Sequence, residues 1–280
     1  MVSVAEFLGS RPFETALLCC GSLTLILFST IYLVRYAQRA SLWLWRSVGA
    51  RYSLLRFERL EKGRLFLWRH AHWLPWLIVL CCWVGFFEIA EVLAENPLLK
   101  EFDETWVSAA HRSVASWELA LFSTVTAFAG RAASYLIGFG FAFYLIAQGR
   151  RRDCVLWAFG ILYNSLVVQL LKTYYERGRP EFDQPFLIET NFSFPSGHAA
   201  ASLLLFGLLA YLKRERTVRQ ERPWQMKASL LLIIAGTFIG TSRLVLGVHF
   251  PSDILAGWLI GTAALATVIG IDLNERPQTS

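Results

Sequence analysis

Residues 228–271 read ASLLLIIAGTFIGTSRLVLGVHFPSDILAGWLIGTAALATVIGI. Two apolar runs, Ala228 to about Val245 and Ile254 to Ile271, flank a short polar connection. Arg243 and Asp253 are the only charged side chains in the stretch, and His249 stands between them. The apolar residues come in blocks, with neither a helical nor a strand period. A bilayer core about 30 Å thick takes about 20 helical residues, so each run reads as a membrane-spanning helix. Backbone polar groups in lipid must be satisfied within the segment, which makes the fold all-α.

The rest of the chain repeats this pattern. Of 280 residues, 55% are hydrophobic and 17% charged, too apolar for an ordinary soluble protein. Further spans are expected at Thr15 to Val34, from Trp73 into the early nineties, at Ala132 to Gln148, at Cys154 to Leu171, and from His198 to Leu212. The expected architecture is a polytopic bundle of about seven spans: a six-span core preceded by one extra N-terminal span. Residues 1–72 form the N-terminal addition, 73–272 the core and 273–280 a tail. The first run follows Arg11 and Glu14 without a basic start or a small-residue cleavage site, and reads as a retained span. Cys19, Cys20, Cys81, Cys82 and Cys154 all sit inside apolar runs, as small buried hydrophobes do.

Between the spans, residues 35–72 carry nine Lys or Arg against Glu58 and Glu61. This segment fits an amphipathic helix on anionic headgroups or a solvated linker. Glu88 and Glu91 lie one turn apart near the end of the second span, where interfacial solvation accounts for them. Residues 93–131 read as an external segment with one or two short helices, and His111 within it as an exposed histidine. Pro97 breaks its start.

Loop charge sets orientation. With the N-terminus outside, segments 35–72, 149–153, 213–227 and 272–280 hold 19 of the 27 Lys and Arg. The net charge of +6 therefore reflects topology and gives no reason to expect a nucleic-acid partner. On that count three polar clusters fall together on the non-cytoplasmic face: Lys172 to Pro180, Pro195 to His198, and Ser242 to Asp253.

Taken singly, these residues have ordinary roles. Lys172 can snorkel, His198 can cap a helix, and Asp253 can sit on a helix dipole. Together, Lys172, Arg179 and Arg243 make a site for a group with more than one negative charge, and phosphate fits best. Pro195 and Pro251 suit helix starts, which turn free amides toward the same anion. Gly197 permits close approach of backbone to ligand. Asp253 lies four residues after His249 and can fix its tautomer, leaving the other ring nitrogen to attack phosphorus. His198 is available as general acid for the leaving oxygen. The three cations would substitute for a metal, so no metal or other cofactor is expected.

Lys-x6-Arg-Pro, Pro-Ser-Gly-His and Ser-Arg-x5-His-x3-Asp, in that order, resemble the three signature motifs of the type 2 phosphatidic acid phosphatase superfamily. All eleven fixed positions match: Lys172, Arg179, Pro180, Pro195, Ser196, Gly197, His198, Ser242, Arg243, His249 and Asp253. The resemblance covers roughly residues 100–272. It implies a helical bundle with its site at the external membrane face, and metal-independent hydrolysis of lipid phosphates or diphosphates through a phosphohistidine. It further implies His249 as nucleophile, His198 as acid and Asp253 as orienter. Lys172, Arg179, Ser196, Gly197 and Arg243 are implied as phosphate ligands.

The expectation is a bacterial inner-membrane lipid phosphatase, with undecaprenyl diphosphate as the first candidate substrate. Phosphatidylglycerophosphate, phosphatidic acid and lipid A 1-phosphate stay open. Phosphotransfer to another lipid or a sugar would use the same phosphohistidine. A non-enzymatic transporter or lipid-binding scaffold fits less well, because the ionisable residues gather at one face and not along a path.

Overall fold

The structure, a computed structural model, describes residues 2–18, 73–128, 131–212 and 223–274. The helices, in chain order, are α1 (Val2–Gly9), α2 (Leu74–Glu95), α3 (Pro97–Ser113), α4 (Ser116–Phe128), α5 (Arg131–Ala147), α6 (Arg151–Tyr175), α7 (Gly197–Leu212), α8 (Pro223–Val245) and α9 (Pro251–Asn274). Residues 12–18 are also helical, and no strand occurs among the described residues. The fold is all-α, as expected. The basic segment 35–72, most of the first expected span and residues 275–280 of the expected tail lie outside the described residues.

Four of the described helices are long and apolar enough to cross a membrane: Leu74–Glu95, Arg151–Tyr175, Ala228–Val245 and Pro251–Asn274. Ala133–Ala147 and Gly197–Leu212 are apolar but shorter. The protein is an integral membrane protein. Helix α7 begins at Gly197 after Ser193, Phe194, Pro195 and Ser196 are already buried, so the preceding loop enters the bundle before the helix starts.

Local chemistry sets the breaks. Pro97 pushes Asn96 out of the helical region, and Asn96 is extended, with φ −103° and ψ 110°. Its side chain accepts from the Leu98 amide at 2.9 Å, so one residue ends α2 and caps α3. Between α5 and α6 the chain reverses at Gly149, whose φ of 68° suits glycine.

Helix α9 is the centre of the bundle. Of its span, 67% is buried among the described residues, against 22% for α2 and 28% for α6. It packs against α2, α7 and α6, while α8 packs against α7. Small residues let these backbones close up. A Cβ added at Gly261 would stand 2.5 Å from the Ala200 carbonyl oxygen, and one at Gly257 2.5 Å from that of Ser196. Ser202 Oγ donates to the Gly236 carbonyl at 2.8 Å, tying α7 to α8.

The bundle has two chemically distinct ends. At one, Arg150 pairs with Asp153 at 2.7 Å and donates to the Leu212 carbonyl. Arg152 there pairs with Asp272 at 3.3 Å, and Asp272 also accepts from the Tyr211 hydroxyl at 2.6 Å. The start of α6 and the ends of α7 and α9 are thereby locked together. The opposite end gathers the last turn of α6, the first turns of α7 and α9, and the end of α8.

The N-terminal stretch docks at that second end. Helix α1 packs on α3, where Ser113 Oγ donates to the Gly9 carbonyl at 3.1 Å. Phe13 and Ala16 join Phe122, Val245, Leu246 and Val248 in one apolar cluster. His111 differs from the expectation. It is half-buried, stacked between Phe182 at 3.9 Å and Phe186 at 4.2 Å. The loop after α6 folds over α3 and covers the imidazole, and burial pushes its pKa down.

Candidate active site

Helix α6 carries Lys172 in its last turn. The ammonium is buried and donates to the Phe192 carbonyl, with the Ser193 carbonyl at 3.4 Å. Glu176 then ends the helix in the left-handed region, at φ 45°, and the chain leaves as a loop running to Ser196. That loop carries Arg179. Its Nε donates to the Asn191 carbonyl and its Nη1 to the Val248 carbonyl, both at 2.7 Å.

Helix α8 ends at Val245, and Gly247 turns the chain in the left-handed region with φ 69°. A Cβ there would also press on the Phe182 ring at 3.1 Å. His249 follows, almost fully buried, and Pro251 opens α9. His249 Nδ1 lies 3.3 Å from Asp253 Oδ2 across that helix start. Asp253 Oδ2 also accepts from the Phe250 amide at 2.9 Å and from the Ser193 hydroxyl. On the far side of the ring, Nε2 stands 3.3 Å from Arg179 Nη1. An anion at one nitrogen and a cation at the other both favour the proton on Nδ1 and the lone pair on Nε2.

Burial pushes the His249 pKa down to about 4, with Arg179 and Lys172 adding to the effect and Asp253 opposing it. The imidazole is therefore neutral at pH 7. Burial likewise lowers Arg179, opposed by Glu189. Glu189 is raised by burial, yet Arg243 and Arg179 hold it below the ordinary carboxylate value.

The other expected residues converge on the same place. Ser196 donates its amide to the Asp253 carbonyl at 3.0 Å, and its hydroxyl faces the Ala199 amide at 3.4 Å as α7 begins. Gly197 starts α7, where an added Cβ would touch Lys172 at 3.8 Å. His198, in the first turn of α7, feels the charges of Arg243, His249, Glu189 and Arg179. Arg243 is buried, pairs with Glu189 and donates to Thr126 Oγ1 at 3.1 Å, leaving Nε without a partner among the described residues. All three cations are thus already engaged within the protein: Lys172 and Arg179 on carbonyls and Arg243 on Glu189.

Several participants were not foreseen. Arg177 spans Asp253 and Asp103, Ser193 joins the His249–Asp253 pair, and Glu189 faces Arg243. Asp103 is fully buried on α3, where it accepts from the Ser252 amide at 3.2 Å and from the Ser252 hydroxyl. Burial raises its pKa against those bonds and the Arg177 charge. The one sequence clue was an acid on a helix otherwise read as surface.

Residues 153–276 match the profile described as the PAP2 superfamily. That region is similar to the PAP2 superfamily, and individual proteins match it as well. "Phosphatidylglycerophosphatase B" of Bacillus subtilis is 35% identical over 113 residues, 39% of this chain and 53% of that protein. "Undecaprenyl-diphosphatase" of Sulfolobus acidocaldarius is 33% identical over 73 residues, 26% of this chain and 30% of that one. The crystal structure of a transmembrane PAP2 type phosphatidylglycerolphosphate phosphatase from Bacillus subtilis superposes with a TM-score of 0.61 at 25% identity. That superposition covers 71% of this chain and 98% of the other. The chain spans about half the length of the Bacillus curated relative it matches, 53%. All four polar groups of the candidate site, on α6, the loop, α7 and the α8–α9 connection, fall inside the matched residues.

Proposed function

We propose that the protein is a metal-independent membrane lipid phosphatase that cleaves a phosphate or diphosphate head group through a phosphohistidine on His249. One observation carries this reading: His249 holds Asp253 at 3.3 Å on Nδ1 while Nε2 faces Arg179, also at 3.3 Å. A neutral imidazole with a fixed lone pair beside a cation that would hold phosphate is a nucleophile aimed at phosphorus.

In the proposed reaction, Nε2 forms a bond to phosphorus as the bond to the lipid oxygen breaks, and His198 gives that oxygen its proton. Asp253 stabilises the imidazolium through Nδ1–H. Arg179, Arg243 and Lys172, with the Gly197 amide at the start of α7, take the charge on the phosphoryl oxygens. In the second half, His198 takes a proton from water, the hydroxide displaces His249 from phosphorus, and phosphate leaves. Glu189 must release Arg243 when the substrate phosphate arrives.

The site would lie at the external face of the membrane, as the loop charges require, in a bacterial inner membrane. The phosphatase core is proposed as residues 73–272, with 1–72 an addition. The names of the Bacillus relatives make phosphatidylglycerophosphate the first substrate to assay, with undecaprenyl diphosphate second. The test is phosphate release from a panel of lipid phosphates and diphosphates by the purified full chain in chelator, beside His249→Ala. Turnover of at least one lipid that is lost in His249→Ala supports the reading. Full activity in His249→Ala, or no release from any lipid, overturns it.

A further inference from the structure

Arg177 lies between Lys172 and Arg179 at a position the motif spacing does not fix, and nothing in the motif pattern assigns it a role. Its side chain is 16% exposed and makes three charged or polar contacts. Nη1 donates to Asp253 Oδ1 and to Ser252 Oγ, both at 2.7 Å. Nη2 donates to Asp103 Oδ2 at 2.8 Å. The flat face of the guanidinium lies over the Phe250 ring, 4.1 Å from its centroid.

This geometry separates Arg177 from the cations expected to hold phosphate. Both of its terminal nitrogens are spent on protein oxygens, as those of Arg243 are, and the Phe250 ring lies against its guanidinium. Arg243 is set apart by a buried Nε without a partner among the described residues. What Arg177 touches is the carboxylate behind the nucleophile. A carboxylate can rotate and present either oxygen. Here Oδ1 is held by Arg177, and Oδ2 is left to His249 Nδ1, the Phe250 amide and Ser193. Asp103 anchors the other end of the fork on α3 and also accepts from the Ser252 amide at the start of α9.

We infer that Arg177 is a positioning residue: its fork, anchored on Asp103, fixes which oxygen of Asp253 faces His249 and balances the charge of that carboxylate. The inference rests on the proposed reaction and names a residue that acts on it through Asp253 without touching substrate. Lysine cannot reproduce it, because an ammonium supplies charge without a planar fork.

The charges facing the His249–Asp253 pair come from every surrounding element. They are Lys172 on α6, Arg177, Arg179 and Glu189 on the loop, His198 on α7, Arg243 on α8 and Asp103 on α3. In Arg177→Gln the other cations stay, and the pair loses the one bonded to Asp253. His249, beside a less compensated anion, becomes imidazolium at higher pH. The acid limb of the rate profile must therefore move up.

The experiment is kcat and KM against pH for the purified full chain and for Arg177→Gln, Arg177→Lys and His249→Ala, using a short-chain lipid phosphate. Expected for Arg177→Gln is an acid limb about one pH unit higher, with kcat lowered about tenfold or more and KM little changed. Arg177→Lys should keep the wild-type acid limb but share the fall in kcat. An Arg177→Gln profile that superimposes on wild type after scaling overturns the inference, as does a loss carried by KM alone. If Arg177→Gln does not fold, Arg177→Lys decides: a wild-type limb with reduced kcat supports the role, and unchanged kcat or a displaced limb overturns it. Activity surviving in His249→Ala would instead sink the phosphohistidine reading, so the two failures are distinguishable.

Discussion

Asp253 shows how much one side chain can be asked to do. It is fully buried and closes the first turn of α9 through the Phe250 amide, orients His249, and accepts from Ser193 and Arg177. In Asp253→Asn an amide replaces a carboxylate, so Nδ1–H loses its anion and the ring can settle in the wrong tautomer. We expect kcat to fall by about 10³–10⁴-fold while substrate binding survives, as tautomer loss does in other His–Asp pairs; a loss below tenfold in a rate assay would contradict this. The His249 pKa of about 4 makes a further prediction. A depressed imidazole pKa keeps the attacking form populated as pH falls, so kcat/KM should hold from about pH 7 to about pH 5 and decline only nearer 4. A decline centred near the ordinary histidine value of about 6.5 would show that the nucleophile is not the desolvated His249. The eleven motif positions were legible because each joins a chemical role to a fixed spacing. Arg177 and Asp103 were not, because their significance lies in pairs 74 and 76 residues apart along the chain. Spacing reports neighbours on one helix, and only the packed bundle brings α3 against the loop.

The helices themselves were legible wherever lipid is their solvent, since apolar length alone decides them. Expectation and observation agree closely for Leu74–Glu95, while α6 starts three residues earlier and runs four further than its apolar run, because Arg151 and Tyr175 can sit in helix at the interface. Helix α7 begins at Gly197, one residue before the expected start, where burial of the preceding loop delivers it. What no periodicity reveals is which faces meet. Gly257 and Gly261 sit one turn apart on α9 and admit the backbone of Ser196 and Ala200. Gly261→Ala should therefore force α9 and α7 apart, since the obstruction is backbone and cannot rotate away. A cost of about 1–3 kcal/mol is expected, seen as a lower midpoint in thermal unfolding in detergent. Phosphatase activity should fall with it, because Ser196 and His249 ride on the two separated helices. A Gly261→Ala protein as stable and active as wild type would mean the helices do not pack this closely.

At the scale of the molecule, the two ends of the bundle differ in what their charges do. One end spends Arg150 and Arg152 on Asp153, Asp272 and a helix-end carbonyl, binding three helices together. The other holds cations around a histidine, and the N-terminal stretch docks there on α3 and on Val245, Leu246 and Val248. The same basic residues that lock the first end belong to the set that marks the cytoplasmic side by charge count. On that count the site would lie outside, as proposed. An outward site can be tested on intact cells. Spheroplasts expressing the protein should release phosphate from an added water-soluble short-chain lipid phosphate without permeabilisation, at a rate that detergent raises less than about twofold. Spheroplasts carrying His249→Ala should not. Activity that appears only after the membrane is opened would put the cations, and the histidine they surround, on the cytoplasmic side.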